Sequence, residues 1–105
     1  MPKLDEAPTL KTFQSYVSEL EVERGFSHQT TIEKCLLLGE EVGELFKAVR
    51  KREGLAIDQR SESHEVGSEL VDVFIYLCAI ANRLGLDLEA EFRHKEAINE
   101  RRVWD

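Results

Sequence analysis

Apolar residues recur along this chain at spacings of three and four, a period that predicts helices from end to end. Leu10, Phe13, Val17 and Leu20 mark a first helix from about Thr9 to Arg24, with Thr9 as N-cap and Gly25 as the stop beyond its end. A second helix runs from near Ser27 to just before Gly54, and its main apolar stripe is Cys35, Leu38, Val42, Leu45, Phe46 and Val49. The segment 54–61, GLAIDQRS, breaks the pattern and reads as the one sizeable loop. A third helix then spans about Glu62 to Leu84 before Gly85, and Asp87 caps a fourth that continues to about Arg102. No alternation of period two survives anywhere, so the predicted fold class is all-α, a four-helix bundle.

The third helix differs from the others in being apolar almost all round, through Leu70, Val71, Val73, Phe74, Ile75, Leu77, Cys78, Ile80 and Ala81. Such a helix must be covered on every side, and three short companions hardly suffice. The pattern therefore predicts a core completed by a second copy of the chain, as a homodimer or a dimer-of-dimers tetramer.

Composition narrows the class further. At 105 residues the chain is read as one domain, 1–105, and its 42% hydrophobic and 33% charged residues suit a folded protein. The net charge of −7 repels phosphate backbones and anionic lipid, and no basic stripe offsets it, so neither nucleic acid nor a membrane is the expected partner. The apolar run Val73 to Ala81 is about half of the ~20 residues that a membrane span needs, and the first residues carry no signal-peptide core, so a cytoplasmic protein is expected. Cys35 and Cys78 lie in apolar stretches without metal spacing and read as two buried free thiols. His28, His64 and His94 read as surface residues.

The chemistry-bearing residues are acidic. Glu41 and Glu44, within EEVGE, share one face of the second helix a single turn apart, and Glu69 and Asp72, within ELVD, do the same on the third. On the wheel, Leu37, Glu41, Glu44 and Ala48 form one strip with apolar ends, whereas Glu40 falls outside it beside Lys47 and Lys51. Asp72 interrupts the apolar run of the third helix and shares a strip with Glu65, Glu69, Tyr76 and Arg83. Carboxylates drawn together in such surroundings raise one another's pKa and require a cation among them, either Lys or Arg or a metal. All-oxygen ligation without His or Cys suits a hard divalent ion, Mg²⁺ or Mn²⁺. Gly39 and Gly43 flank the acidic motif inside the helix and are read as allowing close approach of a neighbouring helix or substrate, the alternative being that Gly43 is simply tolerated on an exposed face.

EEVGE, a 24-residue gap from Glu44 to Glu69, then ELVD and an apolar helix ending NRLGLDL, together resemble the MazG-like family of all-α nucleoside triphosphate pyrophosphatases. ERGF, Glu23 to Phe26, resembles the family's approach to its base pocket, with Phe26 standing where some relatives carry Trp. Lys95, Asn99 and Arg102 resemble its K-x-x-x-N-x-x-R tail, so the likeness spans about residues 13–104.

The resemblance implies a Mg²⁺-dependent hydrolase that converts a nucleoside triphosphate into the monophosphate and pyrophosphate, often as house-cleaning of the nucleotide pool. Glu41, Glu44, Glu69 and Asp72 would then hold two or three metal ions. Lys95, Asn99, Arg102 and Arg83 are the candidate phosphate donors, and Phe26 and Tyr76 are candidates for the base and sugar pocket. Two divalent ions would activate a water for attack at the α-phosphorus and disperse charge on the leaving pyrophosphate, and Glu41 is expected to orient that water. The alternatives are a dUTP or phosphoribosyl-ATP pyrophosphohydrolase within the same superfamily, or a non-catalytic acidic module for oligomerisation or regulation.

Overall fold

The computed structural model describes residues 1–58, 60 and 65–104. Among these residues it contains four helices and no strand: α1 (Leu10–Arg24), α2 (Thr31–Arg52), α3 (Val66–Arg83) and α4 (Leu88–Asn99). α1 begins and ends as predicted. The Thr9 hydroxyl accepts from the Thr12 amide, and Gly25 takes the left-handed φ of 76° that a side chain would strain. There the Phe26 and Gly25 amides donate back to the Glu21 and Val22 carbonyls, a Schellman closure that sets the direction of the following turn.

α2 starts later than the periodicity suggests, because Thr30 caps it rather than Ser27. The Thr30 hydroxyl accepts from the Glu33 amide at 3.1 Å while the Glu33 carboxylate accepts from the Thr30 amide at 3.3 Å, a reciprocal capping box. α3 has Glu65 as its N-cap, and the predicted beginning at 62–64, with His64, lies outside the described residues. α4 is capped by Asp87 as expected but stops at Asn99, where the Arg101 and Arg102 amides tighten to carbonyls three residues back.

The packing order places α3 at the centre, against both α1 and α2, while α4 leans on α1. Val17 and Leu20 of α1 meet Cys78 and Ala79 of α3, with Phe13 and Phe74 in edge-to-face contact at 5.3 Å. Gln14, buried on α1, ties this core to the α3–α4 turn. Its amide donates to Asn82 Oδ1 and to the Leu86 carbonyl, its oxygen accepts from the Leu88 amide, and Asn82 Nδ2 donates back to the Gln14 carbonyl. Every polar atom brought in by that glutamine is thereby satisfied.

Other faces stay open. Of the predicted stripe on α2, Cys35, Phe46 and Val49 are exposed, and the side that α2 turns inward runs instead through Lys34, Leu37, Glu41 and Ala48. Only one thiol is buried, therefore. Cys78 is fully enclosed, and burial pushes its pKa up to about 11, while Cys35 is an exposed free thiol. Gly39 and Gly43 have nothing within 4 Å of where a Cβ would stand, so nothing in this chain approaches them closely. They lie on one strip with Ile32, Leu36 and Phe46, the last two 71% and 63% exposed. On α3, Leu70, Val71 and Leu77 are also open to solvent.

Candidate functional site

α2 and α3 lie side by side with Glu41 facing the turn that carries Glu69 and Asp72. One carboxylate oxygen from each of the three lies within 4.8 Å of the others, and no other such group of metal-ligating side chains occurs among the described residues. Glu69 is 2% exposed and Glu41 is half-buried, so this is not a solvated acidic face. Burial pushes the Glu41 carboxyl above its ordinary value, and the charges of Asp72 and Glu69 push it further.

Glu44 lies one turn along the same strip but outside this group, its carboxylate paired with Lys47 at 3.4 Å. Glu40 is exposed, and its charge adds to the raising of Glu41. Three crowded carboxylates, one of them enclosed, suit a hard divalent cation by their donor chemistry, as an all-oxygen set.

Beside the cluster opens a cavity of about 180 Å³ whose wall includes Glu41 and Asp72 at one end and Glu21, Phe26, Lys34 and Tyr76 beyond them. A wider hollow of about 400 Å³ between α1 and the α3–α4 turn, lined by Gln14, Asn82 and Asp87, has no comparable group of ligands. Phe26 and Tyr76, expected as contacts to base and sugar, both line the smaller cavity. The Tyr76 hydroxyl is held above its ordinary pKa by burial first and then by Glu41 and Asp72, so it stays a neutral donor.

The cavity also contains two groups outside the expected set of site residues, Lys34 and Glu21. Lys34, 3% exposed, has its ammonium 3.1 Å from Glu21 Oε2 and 5.2 Å from the centroids of both Phe26 and Tyr76. Their signal was present in the wheel: Lys34 is seven residues before Glu41 on the inward strip of α2, and Glu21 falls four after Val17 on the buried side of α1.

Arg83 is not a free phosphate donor. Its guanidinium grips Glu21 with two bonds and donates to the carbonyls of Phe26, Gln29 and Ala79, which engages all five N–H groups. Burial would raise the Glu21 carboxyl, but the bonds from Arg83 and then Lys34 outweigh it and hold it below its ordinary value. Arg83 thus acts on the cavity indirectly, by holding the Phe26 turn against the ends of α1 and α3.

The structure does not bring Lys95, Asn99 and Arg102 to the carboxylates. Lys95 and Asn99 belong to α4, which leans on α1, and Arg102 lies beyond that helix, so the three do not share one helical face. His28 and His94 are exposed, as expected.

Comparison with known proteins places the chain's fold among related helical proteins. Residues 26–102 match the MazG nucleotide pyrophosphohydrolase domain family. Two crystal structures of iMazG from Vibrio DAT 722, Ntag-iMazG and Ctag-iMazG, are 32% identical to the chain, with TM-scores of 0.66 and 0.67. Each covers 89% of this chain, which in turn covers 95% and 99% of them. The Bacillus-conserved MazG protein, a nucleotide pyrophosphohydrolase, is 29% identical with a TM-score of 0.69, over 96% of this chain and 97% of its own. Comparison with curated protein sequences gives no match.

Proposed function

The chain belongs to the MazG nucleotide pyrophosphohydrolase family, and we propose that it is a divalent-metal-dependent hydrolase of nucleoside triphosphates, releasing the monophosphate and pyrophosphate. The observation that carries this reading is the meeting of Glu41, Glu69 and Asp72 at the mouth of a cavity walled by Phe26 and Tyr76. Glu41, Glu69 and Asp72 would hold the metal, with Mg²⁺ favoured and Mn²⁺ a substitute, and Glu44, one turn along the same strip and paired with Lys47, would be the fourth ligand. Bound there, two or three such ions supply a nucleophilic water at neutral pH and disperse charge on the leaving pyrophosphate.

The protein's own residues do the positioning. Glu41 orients the water toward the α-phosphorus, its carboxylate accepting a hydrogen bond from that water. Phe26 offers its ring face to the base, and the neutral Tyr76 hydroxyl donates to the sugar. Lys95, Asn99 and Arg102 would meet the outer phosphates only if α4 is brought to the site by a partner chain or by closure.

A homodimer fits the same picture. The accessible surface of 8067 Å² exceeds the roughly 6,000 Å² of a compact chain of this mass, and the radius of gyration, 16.3 Å, exceeds the expected value of about 13 Å. The strip of Ile32, Leu36, Gly39, Gly43 and Phe46 is the surface on which a second copy would close.

The deciding experiment is a pyrophosphate-release assay over canonical and modified nucleoside triphosphates, with dUTP and phosphoribosyl-ATP alongside, in Mg²⁺ and in Mn²⁺. Release that depends on the metal supports the reading. A flat result across that panel would return the chain to a non-catalytic regulatory module.

A further inference from the structure

The deep end of the cavity is built to donate hydrogen bonds. Lys34 carries three N–H donors, yet among the described residues Glu21 Oε2 is its one hydrogen-bonding partner, and the ammonium otherwise faces two aromatic rings. A charge buried to this degree with donors to spare needs an acceptor when the cavity fills and water leaves it. Glu21 cannot be the acceptor for all of them, because its two oxygens already take two bonds from Arg83 and one from Lys34. The same occupancy leaves Glu21 poorly able to receive an N–H from a ligand. Lys34 and Arg83 against Glu21, with Arg24 also on the cavity wall, leave this end net cationic.

Position along α2 places this donor at the base. Lys34 and Glu41 lie seven residues, two helical turns, apart on α2 and line the same cavity, so a nucleotide held by its phosphates at Glu41 extends along the wall toward Lys34. With the phosphates held at Glu41 and Asp72, the group that reaches Lys34 is an edge of the nucleobase. Uracil, thymine, cytosine and guanine each carry an exocyclic oxygen, an acceptor that Lys34 would meet. Adenine carries none: its amino group would set donor against donor, and only its ring nitrogens remain as acceptors.

We propose that Lys34, held in place by Glu21, is a specificity-determining residue that selects nucleotides whose base bears an exocyclic oxygen and rejects adenine nucleotides. The proposal rests on the pyrophosphohydrolase reading for the orientation of the ligand, so its test uses binding as well as turnover. Isothermal titration with UMP, CMP, GMP and AMP in Mg²⁺ is compared for the wild type, Lys34→Met and Lys34→Gln, together with kcat/KM for the matching triphosphates.

The wild type is expected to bind at least one oxo-bearing monophosphate roughly 10- to 100-fold tighter than AMP, the range of a charge-assisted hydrogen bond. Lys34→Met, of similar length and with Glu21 still gripped by Arg83, should collapse that preference to about twofold. Lys34→Gln, which keeps a donor, should retain part of it. AMP bound by the wild type as tightly as the best oxo-bearing monophosphate overturns the proposal without any variant, as does a preference unchanged in a folded Lys34→Met. Base preference in binding without pyrophosphate release from any triphosphate would leave the proposal standing while removing the hydrolase reading.

Discussion

Arg83 and Glu21 meet through two parallel bonds, Nη1 to Oε1 at 2.8 Å and Nη2 to Oε2 at 2.7 Å, and so fasten the end of α3 to the end of α1. The same guanidinium reaches the Phe26 and Gln29 carbonyls, so one side chain positions the turn on which the cavity wall depends. Replacing Arg83 with Met should therefore destabilise the chain by about 3–5 kcal/mol, since Glu21 would lose its main partner while still enclosed. Urea denaturation measures this, and Arg83→Lys should recover little of it, because an ammonium cannot make the paired bonds. A loss below about 1 kcal/mol, the range of an exposed ion pair, would show the pair to be ornamental.

Acid should act through the same carboxylate. Glu21 is held below the ordinary value of 4.5 in the folded chain, so the unfolded chain binds more protons between the two pKa values. The stability it contributes is present above about 4.5 and is lost as pH falls through the depressed folded value. Glu21→Gln should flatten that acid limb in a series of thermal melts, and an unchanged slope below pH 4.5 would count against the assignment.

Glu41→Gln and Asp72→Asn should each lower metal-dependent pyrophosphate release by roughly 100-fold or more, with helical circular dichroism preserved. Turnover at the wild-type level in either variant would remove these residues from the metal site.

For Glu41 the sign of the stability effect is opposite to that of Glu21. Burial, then Asp72 and Glu69, raise its pKa above 4.5, so the folded chain binds more protons and stability falls as pH rises from 4.5 through the raised value. Without metal, Glu41→Gln should thus melt higher than the wild type at neutral pH. Adding Mg²⁺ at about 100 times its dissociation constant should stabilise the wild type by roughly 2.7 kcal/mol and the variant much less. Equal shifts in both proteins would mean that the ion binds elsewhere.

Sedimentation at micromolar concentration should give a dimer or larger species. Phe46→Glu and Leu36→Glu place a charge on the open strip of α2, where neither side chain supports the chain's own core, and should yield folded monomers. A wild-type monomer would show that the strip is not covered by a second copy.

The helical period alone determined most of the architecture. Thr9, Gly25 and Asp87 bound their helices as read, because caps and stops act through bonds reaching only three to five residues along the chain. Glu41, Glu69 and Asp72 were legible because a spacing of three puts carboxylates on one face and an apolar strip turns that face inward. The tertiary structure decided everything that depends on which helix faces which. It left half of the predicted apolar stripe of α2, Cys35, Phe46 and Val49, open, turned the strip of Lys34 and Glu41 inward, and paired Lys34 of α2 with Glu21 of α1. It likewise took Arg83 out of the set of free phosphate donors. A single sequence records the spacing of residues within a helix, but the partner that satisfies a buried charge lies on another helix, and only packing brings the two within bonding distance.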